Sequence, residues 1–357
     1  MRNFFMTIQE LFQITIDKNA SDLHLIPEYY PTIRINNNLY PLKTYPIINQ
    51  DNAAEMINAL LTDEQKKILQ ENKEIDFGYG FNQVRFRANV YTVKNNLAAA
   101  FRLIPSNIKT IDELQLPPIL HTFAKYNQGL VLITGPTGEG KSTSLAAIIN
   151  EINLNEGKHI LTVEDPIEFV YPPAKSIISQ RELHQDTHSW TASLKSAMRE
   201  DPDVILIGEM RDYDTVQAAI TLAETGHLVF STLHTSSTPE TIDRIIDIFP
   251  AHQQNQIKGQ LASALKAVVA QRLLPTIDNN SRVAALEVLI SNTAVSAIIR
   301  EGKSYLLDNV LTTSEAEGMI SFEKHLLQLL AKGAISKETA IQYAIRPRQL
   351  QKMLGVV

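Results

Sequence analysis

Cysteine is absent from the 357-residue chain, so disulfide bonds, thiolate zinc sites and thiol catalysis are excluded. No apolar run approaches the roughly 20 residues that a membrane-spanning helix needs. The N-terminal segment MRNFFMTIQELF also lacks the long apolar core and the small-residue cleavage site of a secretory signal. We therefore expect a soluble cytoplasmic protein that reaches a membrane only through a protein partner.

An excess of basic side chains is also missing, because the formal net charge is −6. Residues 1–104 hold 11 basic and 11 acidic side chains, whereas residues 105–357 hold 22 basic and 28 acidic ones. Proteins that move along nucleic acid usually carry a basic surface. We therefore expect no nucleic-acid partner.

The N-terminal third of the chain differs in pattern from the rest. The length is enough for about two domains of roughly 150 residues each. Residues 1–104 are interpreted as a small α+β domain, and residues 105–120, which contain three prolines, as an interdomain linker. In the first domain the patterns predict helices over Thr7–Ile16, Asn52–Leu61 and Asp63–Leu69, strands over Thr32–Ile35, Leu39–Pro41, Val84–Val93 and Ala98–Ile104, and a turn at Asn36, Asn37 and Asn38.

Residues 121–290 alternate apolar, strand-like runs with helical stretches. This alternation indicates an α/β fold with a mainly parallel sheet that is covered on both faces. In residues 291–357 the strand pattern vanishes, and we expect helices that include a pair joined at Gly333, with Ser336 as an N-cap. The predicted strands are Leu130–Ile133, Ile160–Val163, Val204–Ile207 and Leu228–Phe230, and the helix pair is Phe322–Lys332 and Lys337–Ala344.

The most specific motif is a complete G-x-x-x-x-G-K-S loop between an apolar strand run and a helical run. Backbone N–H groups around Gly138 and Gly140 would cradle phosphate oxygens at the helix N-terminus. Lys141 would reach the β- and γ-phosphates, and Ser142 would hold Mg²⁺. The sequence therefore predicts a nucleoside triphosphate site. Its candidate residues are Gly135, Pro136, Thr137, Gly138, Glu139, Gly140, Lys141, Ser142 and Thr143.

Acidic residues follow two of the predicted strands. Glu209 occupies a variant Walker B position, where it would hold Mg²⁺ through water or polarise the attacking water. The alternative for Glu209 is an ion pair with Arg211. Glu164 and Asp165 end another strand, and there a carboxylate would orient the lytic water as a general base. The alternative for this pair is a solvated loop acid.

Spacing alone does not decide whether a histidine pair and an arginine pair have structural or functional roles. His227 and His234 bracket a predicted strand seven residues apart, so an unbroken strand would turn them to opposite faces. Spacing alone favours hydrogen-bonded core histidines. Arg85 and Arg87 share one face of a strand, and the ordinary explanation is a polar outer face. The alternative is a positive charge supplied to the phosphates of a neighbouring subunit.

Taken together, these segments resemble the type II/IV secretion ATPase superfamily over nearly the whole chain. The short N-terminal region and the absence of cysteine resemble its pilus-retraction branch, because the assembly and secretion branches usually carry a tetracysteine zinc element. The matching segments are ASDLH (20–24), VRFRANVY (84–91), GPTGEGKST (135–143), ILTVEDPIEFVY (160–171), SQRELHQDT (179–187), SAMREDPDVILIGEMRD (196–212), AETGHLVFSTLHT (223–235), TIDRIIDIFP (241–250) and IREGK (299–303).

The resemblance implies a PAS-like N-terminal domain, a RecA-like ATPase core over residues 121–290 and a C-terminal helical region. It further implies a homohexamer that uses ATP and Mg²⁺ to retract type IV pili in twitching motility. The implied partners are the inner-membrane platform protein of the pilus and a paralogous retraction ATPase. The alternatives are an accessory subunit that modulates a main retraction motor, or the ATPase of a related type II or type IVB secretion system.

The resemblance also implies roles for single residues. Glu164 would be the general base and Glu209 the Walker B glutamate, with Ser142 and Glu209 on the metal. His227 would contact the nucleotide and His234 would act in catalysis. Three arginines of the N-terminal domain would reach nucleotide that is bound to an adjacent subunit: Arg85, Arg87 and Arg102.

The sequence departs from the family pattern at two places. Glu139 stands in the P-loop where the family usually has serine, so we expect weaker nucleotide binding unless its carboxylate points to solvent. The C-terminal motif that usually reads AIRNLIR is AVSAIIR here, Ala294–Arg300. Because retraction has been tied to that element in the family, force output is a less secure expectation than ATP binding.

Overall fold

The structure of the chain is a computed structural model, and it divides into two compact units. Each unit has a sheet and a hydrophobic core of its own. Unit 1 comprises Met1–Asn107 and Pro166–Pro172, and unit 2 comprises Ile108–Asp165 and Pro173–Val357. The structure describes residues 7–36, 38–82, 84–104 and 107–355.

The segment that was interpreted as a linker, residues 105–120, falls largely in unit 2. Three of its apolar side chains, Ile111, Leu116 and Leu120, are buried. Pro105 and Ser106 lie outside the described residues, as does the turn residue Asn37. The compact units therefore divide close to the N-terminal end of this segment.

Unit 1 is built on an antiparallel sheet of six strands in the order β3-β2-β1-β6-β5-β4. The helix and strand predictions for this unit are confirmed, but β1 and β4 were not predicted. The strand β1 is only four residues long, and two glycines interrupt the apolar alternation of β4. The bounds are α1 Ile8–Asp17, β1 Asp22–Leu25, β2 Thr32–Ile35, β3 Asn38–Pro41, α2 Gln50–Asn58, α3 Asp63–Asn72, β4 Glu74–Phe81, β5 Val84–Val93 and β6 Asn96–Ile104.

The core of unit 1 is organised around Phe12 on α1, which is fully buried. A capping box begins this helix, since the Thr7 and Glu10 side chains each bond to the other residue's backbone N–H. The Phe12 ring stacks on Phe86 of β5 with centroids 4.5 Å apart and meets Phe101 of β6 edge-on at 5.0 Å. The apolar stripe of α1 thus packs on the middle of the sheet.

Unit 2 is built on a sheet of seven strands in the order β13-β12-β7-β11-β10-β8-β9. Every neighbouring pair is parallel except β12 with β13, so the predicted, mainly parallel sheet is confirmed. The bounds are α4 Leu120–Phe123, β7 Gly129–Thr134, α5 Lys141–Asn155, β8 His159–Glu164, β9 Ile177–Glu182, α6 Trp190–Ala197, β10 Val204–Ile207, α7 Tyr213–Glu224, β11 Leu228–Leu233, α8 Thr238–Asp247, α9 Ala251–Ala264, β12 Leu265–Pro275 and β13 Arg282–Ile290.

Continuous apolar runs predicted the central strands because these strands are covered on both faces. Every residue of β7, β10 and β11 is buried. Neither β12 nor β13 was predicted. The helix α9 ends at Ala264 and β12 begins at Leu265, so no turn residue separates the two patterns.

Helices follow the sheet, as expected for residues 291–357, and the predicted helix pair is confirmed as α12 and α13. The side chain of Ser336 accepts a hydrogen bond from the Thr339 N–H, so Ser336 is the N-cap of α13. Within the described ranges, no helix has the length and apolar composition needed to cross a bilayer. The bounds are α10 Thr293–Glu301, α11 Leu307–Thr313, α12 Phe322–Ala331, α13 Lys337–Tyr343 and α14 Pro347–Met353.

A buried histidine joins α12 to the sheet. His325 is 4 % exposed, and its Nδ1 accepts a hydrogen bond of 2.8 Å from the Leu286 N–H of β13. Burial lowers the pKa of His325 to about 4, and the positive charge of Lys332 acts in the same direction. The folded chain therefore holds this imidazole neutral.

We predict that His325 makes the stability of the chain fall on acidification. The pKa of His325 is about 4 in the folded chain and 6.5, the ordinary histidine value, in the unfolded chain. As the pH falls, the unfolded chain therefore takes up a proton at this histidine before the folded chain does. The contribution of the neutral His325 to the free energy of unfolding is present above pH 6.5 and is lost as the pH falls towards 4. Between pH 7 and pH 5 the free energy of unfolding should fall by about 2 kcal/mol for this reason. Chemical denaturation at both pH values should show a smaller loss of unfolding free energy for His325→Gln than for the wild type. The glutamine amide oxygen can still accept the hydrogen bond from the Leu286 N–H. Equal losses would contradict this.

Candidate nucleotide-binding site

Parallel register places the candidate site residues at one edge of the sheet of unit 2. Thr134 at the end of β7 pairs with Leu233 of β11, and Ile207 at the end of β10 pairs with Val163 of β8. Ligands of open α/β sheets bind at the carboxyl ends of the strands. The residues that stand at or just beyond these ends are the P-loop, His234, Glu209 and Glu164.

The P-loop backbone requires its glycines. Gly138 and Gly140 have φ values of 83° and 77°, in the left-handed region that favours glycine. A Cβ atom on Gly135 would lie 2.3 Å from the carbonyl oxygen of Gln271 on β12. In the described part of the chain, no side chain caps the first turn of α5, which starts at Lys141. Its N–H groups thus face the loop in the arrangement that binds anions.

Lys141 is buried in the loop at 8 % exposure. Its ammonium donates hydrogen bonds of 2.7 Å to the Gly135 carbonyl and 2.9 Å to the Pro136 carbonyl. Neutral carbonyl oxygens stabilise the buried charge less than phosphate oxygens would, because phosphates are charged acceptors. The lysine is therefore held at the place where it would meet a phosphate group.

His234 joins the P-loop to Glu209. Its Nε2 lies 3.3 Å from Glu209 Oε2, and its Nδ1 lies 3.5 Å from both Thr137 Oγ1 and Lys141 Nζ. His234 is about half exposed, but partial desolvation lowers its pKa, and the charges of Lys141 and Arg211 lower it further, so the ring is neutral near pH 7. Glu209 also forms the ion pair with Arg211 that was the alternative interpretation. Both interpretations of Glu209 thus describe part of its environment.

The segment that carries Glu209 is fixed between two strands. The Gly208 N–H donates to the Val163 carbonyl at 2.8 Å, and Thr232 Oγ1 donates to the Gly208 carbonyl at 2.6 Å. A Cβ on Gly208 would lie 3.3 Å from the Cα of Glu164. The usual Walker B aspartate would therefore crowd β8, which explains the glycine at this position.

Glu164 and Asp165, which were paired in the sequence interpretation, have different environments. Glu164 is 7 % exposed, and its Oε1 accepts hydrogen bonds from Thr162 Oγ1 at 2.7 Å and Gln180 Nε2 at 3.4 Å. Asp165 is exposed. Because β8 lies three strands from β7, about 14 Å at normal strand spacing, Glu164 would meet the far end of a triphosphate.

His227 is not brought to the P-loop of its own chain. It stands before β11, and its Nδ1 lies 3.0 Å from the Leu222 carbonyl oxygen. The six-residue strand β11, about 20 Å long, separates His227 from the loop that carries His234. The nucleotide contact of His227 stays a prediction that rests on the resemblance.

The three candidate arginines all lie on adjacent strands of unit 1. Arg85 and Arg87 are half-buried on the face of β5 opposite to the buried Phe86, as the alternation predicted. Arg87 pairs with Asp76 at 3.2 Å, and Arg102 of β6 pairs with Asp22 at 3.0 Å. Both members of the Arg87–Asp76 pair are solvent-accessible, so that pair contributes little stability, whereas Arg102 is exposed and pairs with the buried Asp22.

Gln271 on β12 is a site residue that was not predicted. It is 2 % exposed, accepts a hydrogen bond of 2.8 Å from Ser144 Oγ and donates one of 2.7 Å to the Glu139 carbonyl oxygen. The signal in the sequence is a lone amide inside the apolar run LKAVVAQRLLP. Because a buried amide needs partners, such a residue indicates a specific polar contact.

Glu139 is half-buried, and its side chain reaches towards β12. Its carboxylate accepts a hydrogen bond from the Leu273 N–H on β12. The pairing of β12 with β7 ends at Ala270, so the Leu273 N–H lies beyond that pairing and next to the loop. The departure from the family pattern therefore fastens the P-loop to β12.

The second departure, AVSAIIR, still forms a regular helix. Asn292 caps α10, and Val295 and Ile299 bury its apolar face. Ser296 stands where the family motif has its first arginine, and its Oγ donates to the Ala262 carbonyl of α9 at 3.0 Å. Arg300 is exposed. The substitution thus replaces a charged side chain with a local helix contact.

A parallel sheet, a P-loop and strand-end acids define a nucleotide-binding ATPase fold, and the comparisons agree. The family described as Type II/IV secretion system protein matches residues 4–351, so the chain belongs to this family. A protein of Pseudomonas aeruginosa named type IV pilus retractation ATPase PilT is 41 % identical over 343 residues, 96 % of this chain and 99 % of that protein. A Neisseria gonorrhoeae protein named twitching motility protein is 47 % identical over 311 residues, 87 % of this chain and 83 % of that protein.

A solved structure supports the fold. The crystal structure of the pilus retraction motor PilT with bound ADP has a TM-score of 0.90 and 40 % sequence identity to this chain. The match covers 98 % of this chain and 100 % of that one. The predicted fold class and superfamily are therefore confirmed.

We predict that Glu139→Ala weakens ADP binding up to about 30-fold, because the loop loses a charge-assisted hydrogen bond of about 1–2 kcal/mol. Glu139→Gln keeps an acceptor for the Leu273 N–H while it removes the negative charge, so it should bind ADP at least as tightly as the wild type. Titration calorimetry with ADP distinguishes the two effects. If the alanine variant binds more tightly than the wild type, charge repulsion rather than anchoring governs this position.

Proposed function

We propose that this protein is a hexameric, Mg-ATP-driven motor that retracts type IV pili in twitching motility. The proposal is supported most strongly by His234, which lies 3.5 Å from the P-loop Lys141 and 3.3 Å from Glu209 and so joins the two. The specific machine is inferred from relatives named for pilus retraction and twitching motility, which match nearly the whole chain.

The chemistry follows from the side chains at the strand ends. Lys141 would exchange its two carbonyl partners for β- and γ-phosphate oxygens. Glu164 would orient a water molecule and take its proton as the water oxygen attacks the γ-phosphorus and the bond to the β-phosphate oxygen breaks. His234, which is neutral and so has a single N–H, would turn that N–H from the Glu209 carboxylate to a γ-phosphate oxygen. The products are ADP and inorganic phosphate.

The oxygen donors at the loop fit Mg²⁺. Ser142 supplies a hydroxyl at the start of α5, and Glu209 supplies a carboxylate 3.3 Å from His234. Mg²⁺ prefers oxygen ligands and usually takes few from the protein, with phosphate oxygens and water completing the shell. When bound, the ion neutralises charge on the phosphates.

In the proposed ring, each nucleotide lies between two subunits. A PAS-like domain at residues 1–104 would supply Arg85, Arg87 and Arg102 to the P-loop of a neighbour, whose RecA-like core covers residues 121–290. The hinge on hydrolysis would be the N-terminal end of the segment at residues 105–120, where the two compact units divide. The helical region at residues 291–357 completes each subunit.

We place the motor in the cytoplasm, at the inner membrane through the platform protein of the pilus. A paralogous retraction ATPase is a further partner. The AVSAIIR helix favours a second candidate function, an accessory subunit that modulates a main motor, because Ser296 replaces an arginine of the motif tied to retraction. A main motor hydrolyses ATP and supports retraction without a paralogue, whereas an accessory subunit does not.

We predict that the purified protein hydrolyses ATP only with Mg²⁺ and as a hexamer. Lys141→Ala should lower turnover about 100-fold or more, because it removes the positive charge that would stabilise the phosphoryl group during its transfer. Glu164→Gln should still bind ATP but lose about 100-fold or more in turnover, as expected when a general base is removed. Asp165→Asn, the exposed neighbour, is the matched control and should keep wild-type turnover. Wild-type protein that is hexameric, binds ATP and does not turn over would contradict the motor.

We predict that arginines act across the subunit boundary. Arg87→Ala and Lys141→Ala should each be inactive alone, yet mixed rings should regain turnover because about a quarter of head-to-tail interfaces pair an intact P-loop with an intact arginine. Arg34→Ala is the control, since Arg34 is another arginine of unit 1 and pairs with Asp22; it should be active alone. Mixtures that stay inactive, with mixed rings verified by mass, would place Arg87 outside the neighbouring site.

A further inference from the structure

Arg346, at the start of α14, is the centre of a partly buried ionic cluster in unit 2. Its Nη1 donates to Glu287 Oε2 at 2.9 Å and to Glu323 Oε2 at 3.1 Å, and its Nε donates to Asp308 Oδ2 at 3.2 Å. Its backbone N–H also donates to Glu323 at 2.6 Å. The two glutamates are fully buried. One guanidinium thus holds three carboxylates that come from α11, α12 and β13.

The two buried glutamates need this arginine. A buried carboxylate is costly unless it is paired and hydrogen-bonded. Burial lowers the pKa of Arg346, but the hydrogen bond with Asp308 and the interactions with Glu287 and Glu323 outweigh that effect and raise the pKa above its ordinary value. With three acids around one base, the loss of one glutamate still leaves the guanidinium paired.

Glu287 connects this cluster to α8. Its second oxygen, Oε1, accepts hydrogen bonds from the backbone N–H and the hydroxyl of Thr238, both at 2.9 Å. Thr238 is the first residue of α8. A carboxylate at a helix N-terminus is favoured by the helix dipole and satisfies an N–H that the helix leaves unpaired. Glu287 therefore fixes the start of α8 and is itself held by Arg346.

The start of α8 in turn sets the position of His234. Only the loop 234–237 separates β11 from α8, and the loop is tightly bonded. Thr235 Oγ1 lies 2.7 Å from Thr241 Oγ1, which also lies 3.4 Å from Thr134 Oγ1. Thr134 directly precedes Gly135 of the P-loop. A displacement of α8 would therefore move His234 relative to Lys141 and Glu209.

We infer that Glu287, held by Arg346, is a positioning residue for ATP hydrolysis, and that it couples the C-terminal helices to His234. This inference rests on the proposed ATPase function. Any movement of α11, α12 or α14 that separates Arg346 from Glu287 releases the start of α8 and misplaces the histidine. The helices at residues 291–357 and the nucleotide site therefore act on one another through the buried carboxylate of Glu287.

The test compares two buried glutamates that share the same arginine. Glu287→Met removes the contact with Thr238, whereas Glu323→Met removes a buried carboxylate whose hydrogen bonds within the described part of the chain go to Arg346. Each variant leaves Arg346 with two acids. Steady-state ATP hydrolysis is measured for both variants, with turnover normalised to bound ADP and ring mass verified.

For Glu287→Met we expect kcat to fall about tenfold to 100-fold, as for a catalytic group displaced by about 1 Å, while KM for ATP changes less than about twofold. Glu323→Met should keep kcat. Hydrogen exchange should show faster exchange of the amides of residues 234–238 in Glu287→Met and not in Glu323→Met. A purely structural role would lower the active fraction in both variants and leave the normalised kcat unchanged.

Two outcomes overturn the inference: an unchanged kcat in Glu287→Met, or equal losses in both variants. If Glu287→Met does not fold, Thr238→Val removes only the hydroxyl contact and should lower kcat in the same direction, and an unchanged kcat there is equally contradictory. If the wild type itself does not turn over, the proposed function fails. The exchange measurement then still decides whether Glu287 holds the loop.

Discussion

Parallel pairing of β7 with β11, and of β10 with both β11 and β8, is the constraint on which the rest of unit 2 depends. Because the strands run the same way, their carboxyl ends meet at one edge, and segments far apart in the chain deliver side chains there. Both faces of the strands are buried, so a slip of one residue would break the packing on both sides. The register therefore positions Lys141, Glu164, Glu209 and His234 together.

Around this edge, the contacts that hold the site come from residues without a catalytic role. Gln271 and the Leu273 N–H hold the P-loop against β12, and Glu287 holds the start of α8. Lys141 rests on loop carbonyls until phosphate replaces them. Such preorganisation reduces the rearrangement that the loop must undergo when nucleotide binds. It also provides a route by which the C-terminal helices affect the chemistry.

The sequence allowed the P-loop, the central strands and the superfamily to be predicted, because glycines at fixed spacing and fully buried strands leave strong local patterns. The strands β12 and β13 escaped prediction because α9 continues into β12 without a turn, and Gln271 was missed with them. Spacing alone argued against His234, since the spacing of a histidine does not distinguish a core position from a site position. The orientation of Glu139 depends on a backbone N–H more than a hundred residues away, which no local pattern encodes.

In the proposed motor, side chains from four strand ends act on one nucleotide. The most direct measurement is an experimental structure of the full chain with Mg²⁺ and a non-hydrolysable ATP analogue. We expect the β- and γ-phosphates to lie in the loop around Gly138 and Gly140. Lys141 and His234 should contact the γ-phosphate, and a water molecule should lie between Glu164 and the γ-phosphate. A γ-phosphate out of reach of both His234 and Glu164, or a nucleotide outside the loop, would contradict it.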